Sequence, residues 1–105
     1  TPTSASNNLL IQIATRQTVS GSNKDIQTAL FQDSIANALA ATGYRQPGDT
    51  TSLTLMFNFV MAAGTTSATT FRVRIGSSDA GTLTFNPNSY GQIVGSSITI
   101  TEYTP

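Results

Sequence analysis

The sequence predicts an all-β fold, an antiparallel jelly-roll sandwich, on three observations. Short stretches alternate apolar and polar residues with the period of two that a strand half buried against a core requires, as in Leu9 to Ala14 and Phe71 to Ile75. These stretches, roughly six to eight of them, recur about every ten residues and are separated by Gly, Pro, Asn and Ser, the residues that turns favour. The chain has 105 residues, enough for one core, and only 10% of them are charged, against about 25% in a typical soluble domain. Its outer surface must therefore be built from neutral polar groups, and Thr, Ser, Asn and Gln fill about two-fifths of the positions. With 38% hydrophobic residues in regular runs, that composition is foldable rather than disordered.

Residues 1–8, TPTSASNN, are polar and carry a Pro, which reads as a linker or frayed terminus ahead of a single head domain spanning 9–105. Strand character starts at LLIQIA, where Leu9, Ile11 and Ile13 share one face, and a turn follows at Ser20 to Asn23. The segment from Asp25 to Gly43 has two readings. As a helix it has a capping box at Ser22 and Asp25, then Phe31, Ile35, Ala38 and Leu39 at helical spacing, and Gly43 at the C-terminal cap. As a strand, Gln27 to Ile35 sets Ala29, Phe31, Asp33 and Ile35 on one face against Thr28, Leu30, Gln32 and Ser34 on the other, an alternation that Asp33 spoils. Tyr44 to Ser52 reads as a loop with a turn at Pro47 and Gly48.

Ser52 to Ala63 is the most apolar segment, and its row of Leu53, Leu55, Phe57 and Phe59 is backed by Met56 and Val60 on the opposite face. In a two-layer sandwich only one face of each sheet meets the core, so the second row needs cover from a neighbouring subunit, or from a loop or helix of the same chain. Thr69 to Gly76 and Thr82 to Asn86 read as a hairpin about the turn from Gly76 to Gly81. After the NPNS turn, Tyr90 to Val94 reads as a short strand, and Ser96 to Tyr103 as a last strand with Ile98 and Ile100 on one face and Thr99, Thr101 and Tyr103 on the other.

Several function classes are disfavoured by what the sequence lacks. A formal net charge of zero with no Lys/Arg cluster gives no electrostatic footprint for nucleic acid. No apolar run approaches about 18 residues and no basic-then-apolar leader is present, so neither membrane insertion nor a secretory signal is expected in the chain as given. The first residue is Thr, which reads as a fragment or processed product. Without Cys or His there is no disulfide framework, no thiolate and no common transition-metal ligand set, and the loops holding Asp49 and Asp79 lack the run of oxygen donors that calcium takes. The serines have no His partner and Lys24 is the single lysine, while Asp25, Asp33, Asp49, Asp79 and Glu102 are scattered. No catalytic residue, metal or cofactor is expected, and the chain is read as non-enzymatic.

Taken together, ALFQDSIANAL, the stretch GTTSATTFRVRIGSSDAGTLTF and the C-terminal SSITITEY resemble the small trimeric jelly-roll domains at the tips of bacteriophage tail fibres, tail needles and viral spikes, which are similar in fold to tumour-necrosis-factor and complement-type heads. The resemblance spans about Gln27 to Tyr103. Ile35, Ala36, Asn37 and Leu39 match the family's Ile-Pro-Ala-Asn-x-Leu-like element, although the Pro is absent and the loop to Asp49 is long. The resemblance implies a strand over 27–35, with a helical turn around Ala36 to Ala41. It also implies a homotrimer, which gives the doubly apolar segment a reason to exist. On that reading Met56, Phe57, Phe59, Val60 and Tyr103 form the trimer interface.

The expected role is the tip of a virion's tail or spike, serving attachment to a host-surface glycan or protein receptor, or envelope penetration. A purely structural capsid decoration or shaft-capping domain, and a carbohydrate-binding module, are the alternatives. Candidate receptor-binding residues follow from chemistry. Arg72 and Arg74 sit two apart on one strand face, about 7 Å from each other, close enough to grip one carboxylate or phosphate; the alternative is a solvated outer face. Tyr44, Arg45 and Tyr90 lie in or beside predicted loops and belong to types enriched at interaction hot spots, with an aromatic face able to stack on a sugar.

Overall fold

The computed structural model describes residues 1–21, 23–47, 53–89, 92–93 and 95–105. It is an all-β protein of two antiparallel sheets, consistent with a β-sandwich, and none of the described residues is helical. The strands are β1 (Asn8–Val19), β2 (Lys24–Gln32), β3 (Ala40–Gln46), β4 (Leu53–Ala62), β5 (Phe71–Ser77), β6 (Leu83–Phe85), β7 (Asn88–Ser89), β8 (Gln92–Ile93) and β9 (Ser97–Tyr103). The larger sheet centres on β1, with β4 along one edge and β6 and β9 sharing the other; the smaller has the order β3-β2-β5, and β7 pairs with β8.

β1 runs past the apolar stretch that announces it, because Thr15 and Gln17 continue its buried row after Leu9, Ile11 and Ile13. Of the two, Thr15 is tolerated there because it is bonded. Thr15 Oγ1 meets Thr28 Oγ1 at 2.9 Å, joining the two sheets through the middle of the core. On one side of that link Leu9, Ile11, Ile13, Leu30 and Ala63 pack with Phe57, Phe59, Met61, Phe71 and Val73, and on the other Val19, Ile26 and Leu55 pack with Leu53 and Leu83.

The segment with two readings is a strand. Leu30 and Thr28 are wholly buried, and the alternation breaks at Asp33 because β2 has ended: Asp33 takes φ 49°, a left-handed turn conformation that Asp tolerates better than most residues. No helical turn follows over Ala36 to Ala41; residues 36–39 are irregular and β3 starts at Ala40. The expected loop over Tyr44 to Ser52 is also corrected at its start, since Tyr44, Arg45 and Gln46 belong to β3. Gln46 is buried and donates to the carbonyls of Val19 and Gly21 at 2.9 and 2.6 Å, which anchors the end of this strand in place of apolar packing. Gly43, read as a helix cap, lies opposite Gln27 in the strand pair. The expected capping residue Ser22, the Gly48 end of the Pro-Gly turn, and Tyr90 and Val94 of the expected short strand lie outside the described residues.

The expected hairpin of Thr69–Gly76 with Thr82–Asn86 does not form. β5 pairs with β2 in the smaller sheet, whereas β6 pairs with β1 in the larger one. The intervening segment hooks around the β1–β2 turn instead. Ser78 N–H donates to the Asp25 carbonyl at 2.9 Å, Ser20 N–H to the Thr82 carbonyl at 3.0 Å, Thr82 N–H to Ser20 Oγ at 2.8 Å, and Lys24 Nζ to the Ala80 carbonyl. These bonds satisfy backbone groups that a sheet corner would otherwise strand. The change of partner along β1 is sealed similarly: Asn86 N–H donates to the Arg16 carbonyl and Arg16 N–H to Ser96 Oγ, at 2.8 and 2.9 Å.

Residues 1–8, expected as a linker, lie against the fold. The Glu102 carboxylate accepts from Thr3 N–H at 2.8 Å, Thr3 Oγ1 at 2.7 Å and Asn7 Nδ2 at 2.7 Å, Pro2 is buried, and Ala63 and Gly64 donate back to the carbonyls of Asn7 and Ala5. These bonds hold the Glu102 carboxyl at about 2, down from its usual 4.5, with the Thr3 hydroxyl the largest cause, then the Thr3 amide and the Asn7 side chain.

The result is a thin, long body, 46 × 30 × 20 Å, with a radius of gyration of 15.7 Å against about 13 Å for a compact domain of this length. Its accessible surface is 6128 Å², above the roughly 5600 Å² of a monomeric protein of this mass.

Candidate functional site

Among the described residues, two of those singled out for binding, Arg72 and Arg74, come together on the outer face of the smaller sheet. Strand alternation turns Ala29 and Phe31 of β2 away from the core that Thr28 and Leu30 enter, and register sets Arg74 opposite Ala29 and Arg72 opposite Phe31. Past the end of β2 the chain folds back on itself. Asp33 N–H donates to the Thr70 carbonyl at 2.8 Å, Thr70 N–H returns to Asp33 Oδ1 at 2.9 Å, and Ile35 N–H reaches the Gln32 carbonyl at 3.1 Å. The turn so fixed and the two arginines enclose a notch of about 290 Å³, lined by Phe31, Asp33, Ser34, Ile35, Arg72 and Arg74.

Both guanidinium groups are held in place. Arg72 Nη2 donates to the Asp33 carbonyl, and Arg74 stacks with its Cζ 5.4 Å from the centroid of the Phe31 ring, within cation–π range. Neither pairs with a carboxylate: the ion pair among the described residues is Arg45 with Asp25, at 2.9 Å on the same face but near the start of β2, six residues before Phe31. The notch therefore presents positioned positive charge beside an apolar wall, since Ile35 is 54% exposed.

The other candidate binding residues do not converge here. Arg45 is engaged by Asp25, Tyr44 is paired with buried Ile26 and so belongs to the opposite side of the sheet, and Tyr90 lies outside the described residues. Phe31, Ser34 and Ile35 were not singled out from the sequence. Their signal was present in the strand alternation, which sets Phe31 and Ile35 on the side away from Leu30, but large apolar residues read first as core.

No protein-family model, no curated protein and no solved structure matches the chain. Its chemistry must be read from its own surfaces. Among the described residues no three His, Cys, Asp or Glu side chains gather closely enough to hold a metal ion.

The residues expected at a subunit interface divide between two surfaces. Met56 and Val60 stand on the outer face of the larger sheet, 69% and 51% exposed, with Val60 opposite Leu10 and Met56 opposite Ala14. Tyr103 shares that face through β9, opposite Asn8. Phe57 and Phe59 point the other way, half buried against the core. From Asn8 to Ala14 and across to their partners on β4 and β9, the outer face carries no charged residue. A second apolar surface lies where the sandwich gapes between β5 and β9. Ile98 and Ile100 are on the core-facing side of β9, yet remain 41% and 47% exposed, and shallow clefts separate them from Val73 and Phe71.

Proposed function

We propose that this chain is the non-enzymatic head of a phage or viral appendage, a homotrimeric knob whose two sheets close as a jelly roll and which attaches the particle to its host or helps it through the envelope. The observation that carries the reading is the uncharged outer face of the larger sheet, where Met56 and Val60 stand exposed on either side of the Gln12–Asn58 pair, Val60 beside half-buried Leu10. Large apolar side chains exposed together on one uncharged face suit a contact surface better than they suit water.

A second feature favours a ring over a two-fold dimer. A cyclic trimer joins two different patches, one from each neighbour, whereas a two-fold dimer uses one patch twice. This chain has two different apolar patches, the outer face of β4 and the open side between β5 and β9. Filling that open side from a neighbour would cover Ile98 and Ile100, which the facing sheet leaves bare. The notch shares β5 with the second patch but opens on the other side of that strand, so a neighbour filling the open side need not cover it, and the assembly triplicates it, so weak contacts there gain by multivalency.

Attachment is tested by incubating the labelled chain with a panel of candidate host cells and by competition against adsorption of the intact particle. Saturable binding that blocks adsorption is the expected result. A trimer that ignores every cell tested would leave the structural decoration or capping role in its place.

A further inference from the structure

We infer that the notch between the arginine pair and the turn at Asp33 is a subsite for an acidic sugar, a pyranose ring bearing a carboxylate, as presented by acidic polysaccharides; this rests on the attachment role proposed above. Its volume of about 290 Å³ sits at the lower limit of ligand pockets, roughly 300 Å³, which suits one sugar ring rather than a larger ligand. The planar fork of a guanidinium matches a carboxylate bidentately. Arg72 is already oriented by the Asp33 carbonyl and Arg74 by the Phe31 ring, so less ordering is left for binding to impose.

The remaining walls distinguish a sugar acid from a bare anion. Ile35 and Ala36 would meet nothing if a phosphate ion lay between the arginines, but they fit the C–H face of a pyranose. Asp33 and Ser34 offer acceptors and a hydroxyl to ring hydroxyl groups, and the Asp33 carboxylate opposes a doubly charged ligand more than a singly charged one. A neutral sugar would leave the two positive charges unpaired. The combination of two guanidinium groups, an aliphatic wall and one carboxylate therefore selects a ring with a single negative charge.

The test is a titration of the intact chain with galacturonate, galactose and inorganic phosphate, followed by NMR at the Arg Nε–H groups and the Ile35 methyls. Galacturonate is expected to move Arg72, Arg74 and Ile35 together and saturably. Galactose should move none of them at the same concentration, and phosphate should bind at least fivefold more weakly and leave Ile35 in place. Arg74→Gln should weaken galacturonate roughly tenfold, the loss of one charge-assisted contact. Ile35→Ser should weaken galacturonate and not phosphate; both positions are exposed, and an unchanged amide spectrum elsewhere checks the fold. Phosphate binding as tightly as galacturonate, no response to galacturonate, or a response unaltered in both variants would each overturn the assignment. Cell adsorption that persists in Arg74→Gln and against excess galacturonate overturns the subsite and spares the attachment role. Galacturonate binding by a chain that no host cell retains does the reverse.

Discussion

Glu102 shows how one side chain can organise a terminus. Its carboxylate gathers the Thr3 and Ser4 amides with the Thr3 and Asn7 side chains, and its pKa is lowered to about 2. A depressed carboxylate contributes fully above its unfolded value, near 4.5, and loses that contribution as pH falls toward about 2. Hydrogen-exchange protection of the Thr3 and Ser4 amides should hold at pH 5 and fall on acidification to pH 2.5, and Glu102→Gln should show the weaker protection already at pH 5; equal protection at both pH values would contradict the role. Gln17 poses the opposite case. It is wholly buried and neither its amide oxygen nor its nitrogen has a hydrogen-bond partner among the described residues, a desolvation cost of about 1–3 kcal/mol. Gln17→Met keeps the shape and removes the polar atoms, so it should raise stability by about 1 kcal/mol in denaturant unfolding. A loss of stability would mean that the amide is satisfied after all.

At the scale of elements, legibility followed the apolar rows. β1, β4, β5 and β9 were readable because alternating side chains meet the core, whereas the pattern of β2 fits a helix as well and only the resemblance implied a strand there; the structure shows that Asp33 breaks the alternation because it follows the strand. β3 was not. Its sequence AATGYRQ has no apolar row, and what fastens it is the buried amide of Gln46 and the close approach of Gly43 to β2. A Cβ at Gly43 would lie 3.2 Å from both Gln27 Cγ and the Ile26 carbonyl oxygen. β propensity alone predicts that Gly43→Val stabilises a strand, but the carbonyl belongs to a paired backbone and cannot swing aside, so a net loss of about 1 kcal/mol is expected in thermal or denaturant unfolding. A gain would show that β3 has room to move outward. The expected β5–β6 hairpin failed for a related reason. Turn residues between two alternating runs say that the chain bends, not which sheet it enters next, and here that choice is made by long-range bonds from Ser20, Lys24 and Asp25. Likewise, two arginines on one face were visible in the sequence, whereas the notch they line depends on a turn that folds back over Phe31.

At the scale of the whole molecule, the body is longer and exposes more surface than a compact chain of its size, and two apolar patches remain uncovered. In the proposed trimer, sister copies cover them. A charge placed in the middle of the outer patch should prevent that while leaving the core intact, because Val60 faces away from Ile11 and Phe57. Multi-angle light scattering across micromolar concentrations measures the point directly. A mass near 33 kDa, three times the chain's 11.0 kDa, is predicted for the wild type, falling to the single-chain value in Val60→Asp. A wild-type chain that stays at 11.0 kDa throughout that range would contradict it.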